Sequence, residues 1–371
     1  MYSHLLRLLL SAAIFCGLCM LAGPTSAQDF PPVPPLPAMP PIPPVPPVTA
    51  PSAVFADPAL PTMPSPPNSP APPAPPAPSA WASDGSWGQW NHHSFSMSGG
   101  GERQPANSCA DLRIRFDDRD AVVKSEEHTI TKSEAPTLRV RPHTNGGVQV
   151  QGWDQANYSV TACKAAADYN GEAERILSQI AVMVQGGEVS TQGPSDEDND
   201  WTVYLLIRAP KGAAIDLDTT NGPLSFYSVD GKITAHTTNG PISLQGFSGD
   251  AEITAQNGPV TISGSSGNVH VRTQNGPISV NLKDRTWNGA GLSADATNGP
   301  VTLTVPNNYQ SSFLVEARNY SPMSCRASIC DNARKTWDDN NRRIEFGNSP
   351  AVIHLSTVNG PVSVRSPQDE E

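Results

Sequence analysis

The sequence predicts an all-β fold: a β-solenoid, of β-helix or β-roll type, built from 18-residue, two-strand rungs and preceded by a disordered proline-rich segment. Three observations predict it. Glycine recurs every nine residues from Gly222 to Gly276. Apolar residues sit two and four places after each of these glycines. Of the 39 prolines in the 371-residue chain, 23 fall in residues 31–80.

Taken from the N-terminus, residues 1–27 read as a signal peptide. Arg7 and the free amine supply positive charge, Leu8 to Leu21 is largely apolar, and Thr25-Ser26-Ala27 offers small residues for cleavage. Fourteen apolar residues are short against the ~20 that a membrane-spanning helix needs. Residues 28–104 form a stalk and linker. Pro-Pro-Val, Pro-Pro-Ile and Ala-Pro-Pro units carry one charge, Asp57, and proline fixes its own φ and restricts the residue before it. An extended polyproline segment without a core follows, reaching roughly 150 Å at ~3.1 Å per residue. The linker then carries Trp81, Trp87, Trp90, the pair His92-His93 and Gly99-Gly100-Gly101.

Residues 105–210 read as a β-rich part with one short helix. Leu112–Phe116, Leu138–Arg141 and Tyr158–Ala162 alternate apolar with polar residues, as half-buried strands do. A helix is expected over Glu172–Ile180, with strands near Ala181–Ser190 and over Trp201–Arg208.

Residues 211–366 hold the repeat, with an insertion at about 306–350. After the glycines come Leu224, Ile233, Ile242, Ala251, Val260, Val269 and Ile278, then Phe226, Ala235, Leu244, Ile253, Ile262, Val271 and Val280. The residues between them are polar, so each nine-residue unit is a short strand with one face in and one face out. Proline follows every second glycine, which makes the true unit 18 residues. Asn-Gly-Pro marks it at Asn221-Gly222, Asn239-Gly240, Asn257-Gly258 and Asn275-Gly276, and returns at Asn298-Gly299 and Asn359-Gly360. Asn145-Gly146, with Val148 and Val150 in register, reads as an earlier copy. Stacked rungs would bury a continuous core and set the asparagines in a ladder along one edge. Asn, Asp or Ser before each glycine suits a left-handed turn. The alternative is an antiparallel β-meander or sandwich, because Asn-Gly is also a strong hairpin signal and a meander gives the same period of 18.

Charge and cysteine content limit the function. The formal net charge is −11, with no run of Lys or Arg, which excludes nucleic acid and anionic lipid as partners. Without the leader, Cys109, Cys163, Cys325 and Cys330 remain, an even number that suggests two disulfides in an exported chain. Three pairings are open. The short loop Cys325-Arg-Ala-Ser-Ile-Cys330 favours its own closure, leaving Cys109 with Cys163.

Candidate chemistry is sparse. The outward positions are not the oxygen-rich pattern of a calcium-binding β-roll, and Asp196–Asp200 lacks the glycine and closing glutamate of a calcium loop. Glu252 and His270, one rung apart, suggest an exposed ion pair, with His236 and Arg272 beside Thr254. No nucleophile elbow, zinc helix, phosphate loop or dinucleotide fingerprint occurs, so no enzyme and no cofactor is expected. Ser225, Ser243, Thr261 and Ser279 form a hydroxyl column, continued by Thr302 and Ser363, that could serve as a binding face.

At these residues the sequence resembles the bacterial putative adhesin family, a domain of unknown function with Asn-Gly-Pro repeats in exported proteins. The matching pieces are Trp201–Gly212, Asn221-Gly-Pro through Asn298-Gly-Pro, and Asn359-Gly-Pro-Val-Ser-Val364. The resemblance implies a β-solenoid-like envelope protein with an adhesive role and no catalytic residues. The expectation is therefore an exported, non-enzymatic binding or structural module of the periplasm, outer envelope or cell surface. Its partner would be a glycan or an envelope or surface protein. The alternatives are a polysaccharide-active β-helix enzyme, which needs carboxylates clustered on one face, or a regulatory envelope protein that meets its partners through the stalk.

Overall fold

The computed structural model describes residues 95–99, 104–117, 119–195, 200–319, 321–338 and 341–367. The expected leader, the proline segment and most of the linker lie outside the described residues, as do residues 196–199 of the acidic loop.

The fold is all-β, with two large open sheets of mixed pairing. Every 18-residue unit contributes one long strand to the first and one short strand to the second. The long strands are Ala214–Asn221, Lys232–Asn239, Asp250–Asn257, Ser266–Asn275, Asn288–Asn298 and Ile353–Asn359, hydrogen-bonded in that order. The short strands are Leu224–Tyr227, Ile242–Gln245, Val260–Gly264, Ile278–Leu282, Val301–Thr304 and Val362–Arg365, also in order. Pairing within both series is parallel, with a fixed offset of 18 until the insertions, as in Ile233↔Ala251 and Leu244↔Ile262. The fourteen apolar positions of the repeat are all buried and belong to one core shared by both sheets. Two large sheets on a common core are also compatible with the sandwich alternative.

The corner between long and short strand explains the Asn-Gly-Pro signature. The asparagines do not themselves take the left-handed conformation: among the described residues only Asp117, Ser228 and Asn319 have positive φ without being glycine. Five of the six Asn-Gly-Pro glycines do, with φ of +134° at Gly258 and +152° at Gly240. A Cβ at Gly258 would also overlap the carbonyl oxygen of Gly240 one rung away, so conformation and close approach both require glycine. Each asparagine instead donates its side-chain Nδ2 to the Oδ1 of the asparagine before it, at 2.8–2.9 Å from Asn221→Asn145 through Asn359→Asn298. Asn319, which no Gly-Pro follows, adds the last step by donating to Asn359 at 2.9 Å.

Most residues before the repeat lengthen both sheets, while Phe95–Gly99, Leu112–Phe116 and Arg119–Asp120 form a separate three-stranded sheet whose Leu112, Ile114 and Phe116 pack with Tyr204 and Leu206. Val148–Trp153 pairs in parallel with Leu224–Tyr227, placing Val148 and Val150 in register with Leu224 and Phe226. Trp201–Pro210, Asn157–Ala166 and Val122–Thr131 continue that sheet. Thr137–Arg141, Glu188–Gln192 and Ala181–Gln185 continue the other, so the region read as strands near 181–190 is a hairpin. The helix is Ala173–Gln179, burying Ala173, Ile176 and Leu177. At the far end the expected insertion supplies closing strands to both sheets: Phe313–Arg318, Asn341–Phe346 and Arg334–Trp337 to one, Met323–Cys325 to the other. Disulfides join Cys109 to Cys163 and Cys325 to Cys330. Trp287, in the shorter insertion, is buried and donates Nε1 to the Gly267 carbonyl at 3.0 Å.

Candidate functional site

The long strands present two outward columns on either side of an inward one, because strand side chains alternate faces. The first outward column runs Asp218, His236, Thr254, Arg272, Asp295 and Ser356, one residue per strand and in register. The inward column beside it includes Thr237, Ala255, Thr273 and Ala296, all buried. The second outward column, immediately before the ladder asparagines, includes Thr238, Gln256, Gln274 and Thr297. These columns line a groove of about 650 Å³, with Arg318 in its lining on the strand Phe313–Arg318. From the strand of Asp218 to that of Arg318 it crosses seven adjacent strands. Six spacings of ~4.8 Å make it about 29 Å long, and two residues along a strand set its walls about 7 Å apart.

Its chemistry is polar and mixed in charge. Asp295 is held by two hydroxyl donors, Ser356 Oγ at 2.5 Å and Ser293 Oγ at 3.3 Å. Arg272 lies 3.9 Å from Glu252, both side chains more than 60% exposed, so the ion pair expected for Glu252 with His270 is made with Arg272 instead. His270 is level with Glu252 across the pair of strands, as the 18-residue period requires. Arg318 makes no ion pair among the described residues. Beyond the groove, Glu316 accepts from Arg343 and His354, each at 2.9 Å. Among the described residues no three His, Cys, Asp or Glu side chains converge as metal ligands would.

The hydroxyl column read from sequence lies on the other sheet. Ser225, Ser243, Thr261, Ser279, Thr302 and Ser363 are in register, one per short strand. They are not uniformly exposed. Ser225 and Ser243 are buried, and Thr261 and Ser279 are half-buried. At that end a second apolar cluster containing Leu112, Ile114, Phe116, Tyr204 and Leu206 packs on the sheet, and the Tyr204 phenol is hydrogen-bonded to Ser225. Burial pushes that phenol above the ordinary tyrosine range. The sequence reading found His236, Thr254 and Arg272 but missed the second wall, Thr238, Gln256, Gln274 and Thr297. The signal was available: each of these stands one place before a ladder asparagine.

No family model matches the chain, and no curated protein matches it, so the resemblance to the Asn-Gly-Pro repeat family rests on the residues alone. Solved structures with similar arrangements include a putative cell adhesion protein from Clostridium sporogenes, at 11% identity, covering 66% of this chain and 100% of that one, with a TM-score of 0.28. A putative adhesin from Bacteroides fragilis is similar at 12% identity, covering 66% and 97%, with a TM-score of 0.24. A putative lipid binding protein from Parabacteroides distasonis is similar at 10% identity, covering 66% and 97%, with a TM-score of 0.25.

Proposed function

We propose that this chain is an exported, non-enzymatic binding module. In this reading it is a β-solenoid of 18-residue rungs, carried on a proline stalk, that presents the groove beside its asparagine ladder to a glycan or to an envelope or surface protein. Parallel pairing of strands eighteen residues apart supports the solenoid, since hairpins would join strands nine apart. The disulfides Cys109–Cys163 and Cys325–Cys330 suit an oxidising compartment outside the cytoplasm.

The observation that carries the reading is the groove itself, a continuous polar trough across seven strands. Its carboxylates argue for binding rather than hydrolysis. Asp218 and Asp295 are four strand spacings apart, about 19 Å, whereas a pair that cleaves a glycosidic bond sits ~5–9.5 Å apart. The test is capture of labelled protein on envelope fractions and whole cells. Thr238→Ala/Gln256→Ala/Gln274→Ala should reduce capture severalfold without changing the melting temperature, because all three side chains face outward. Unchanged capture would place the contact surface elsewhere.

A further inference from the structure

We propose that the groove takes an extended glycan bearing carboxylate groups, its chain lying across the strands with one sugar unit per rung. This rests on the groove being the binding surface. The first argument is repeat length. Polar groups recur along the groove at the strand spacing of ~4.8 Å, close to the length of one sugar unit in an extended polysaccharide. An extended peptide laid the same way would present same-face side chains every ~6.6–6.8 Å and lose register within a few residues. Nor can a peptide add itself as a strand there. The floor strands lie inside the sheet, each paired on both sides, so their backbone groups are already used.

The second argument is unspent hydrogen-bonding capacity. Thr238, Thr254, Gln256, Gln274 and Thr297 line the groove, and none of their side chains bonds to another protein group among the described residues. The asparagine ladder one position away is bonded from end to end, so the contrast is between a structural column and an available one. Hydroxyls and carboxamides both donate and accept, as recognition of a hydroxyl-rich chain needs. Val358 is the one branched aliphatic side chain in the lining and His236 the one ring, too little apolar surface to bury an acyl tail.

The third argument is charge. In a chain of net charge −11, the groove carries Arg318, without an ion pair among the described residues, and Arg272, with only a distant one. They are three strand spacings apart, about 14 Å across the sheet. A guanidinium is the side chain suited to a carboxylate, which it can grip through two parallel bonds. Asp218 and Asp295 in the same groove disfavour a phosphate monoester, which carries a charge of roughly −2, more strongly than a singly charged carboxylate.

The experiment measures binding of the full chain to oligogalacturonate, a neutral cello-oligosaccharide and a phosphate-rich glycan by calorimetry at two salt concentrations. Oligogalacturonate is expected to bind, more weakly at the higher salt, and the neutral chain at least ~fivefold more weakly. Arg272→Gln/Arg318→Gln should weaken it about tenfold or more, the effect of losing one or two charge-assisted bonds. Arg318→Lys should keep part of the affinity. Equal affinity for the neutral chain, preference for the phosphate-rich one, or an unchanged double variant would overturn the proposal. If no oligosaccharide binds while the triple alanine variant still reduces envelope capture severalfold, the glycan proposal fails, the binding groove stands and its ligand is a protein.

Discussion

Replacing Asn257 by alanine tests the ladder at its middle. Asn257 donates to Asn239 and accepts from Asn275, both at 2.9 Å, so the change removes two side-chain hydrogen bonds and leaves one donor and one acceptor to water. Asn257 is outside the left-handed region, so alanine brings no backbone strain, and the corner bond from Gly258 N to the Asn275 carbonyl is untouched. At ~0.5–1.5 kcal/mol per bond the cost is about 1–3 kcal/mol, and the midpoint corresponds to roughly 6 °C of melting temperature for a domain of this size. Asn145→Ala at the other end of the ladder removes a single side-chain bond, from Asn221, at a residue outside the left-handed region, and should cost about half as much or less. Asn257→Asp adds a pH signature. A carboxylate there faces the Asn239 oxygen it should donate to, so the charged form is disfavoured in the fold and its pKa rises above the unfolded value near 3.9. Stability relative to the unfolded chain is then greatest below that value and is lost as pH rises through the folded pKa. Thermal and urea unfolding of the three variants would measure this. If Asn257→Ala melts with wild type, or no lower than Asn145→Ala, the ladder contributes nothing beyond the backbone corner.

Two further outcomes follow from the cross-links and the buried phenols. The Cys109–Cys163 bridge spans a sequence separation of 54 and Cys325–Cys330 one of 5, so chain entropy assigns about 4 and about 2 kcal/mol respectively; unfolding of each double Cys→Ala variant should show the first loss larger, and the reverse order would refute the account. Burial raises the Tyr204 phenol and pushes Tyr309 up to about 12, both from 10.0, so their stabilisation is complete below pH 10 and is lost as pH rises above it. Ultraviolet titration should find phenols that resist ionisation until the fold opens, and Tyr204→Phe should flatten the alkaline decline; complete titration near pH 10 in the folded protein would contradict this.

Much of this fold was legible because the chain repeats itself. A period of eighteen with two apolar positions per half-unit dictates which side chains go inside, and the fourteen core residues from Leu224 to Val280 were readable without coordinates. So was the ladder, since identical amides at one period must meet once the strands align. The groove was not legible to the same degree. Which polar column stays exposed depends on what packs over it, and that is a long-range matter. Ser225 and Thr254 look alike as outward-facing hydroxyl residues between apolar neighbours. Ser225 is buried beside Tyr204, which lies 21 positions earlier in the chain, while Thr254 lines the groove. Likewise, Asn319 joins the ladder without its signature, because the strand Phe313–Arg318 is brought beside Ile353–Asn359 by the fold and not by the repeat. Local pattern sets the inward and outward alternation of each strand. Only the packing of distant segments decides which outward faces remain open to a partner.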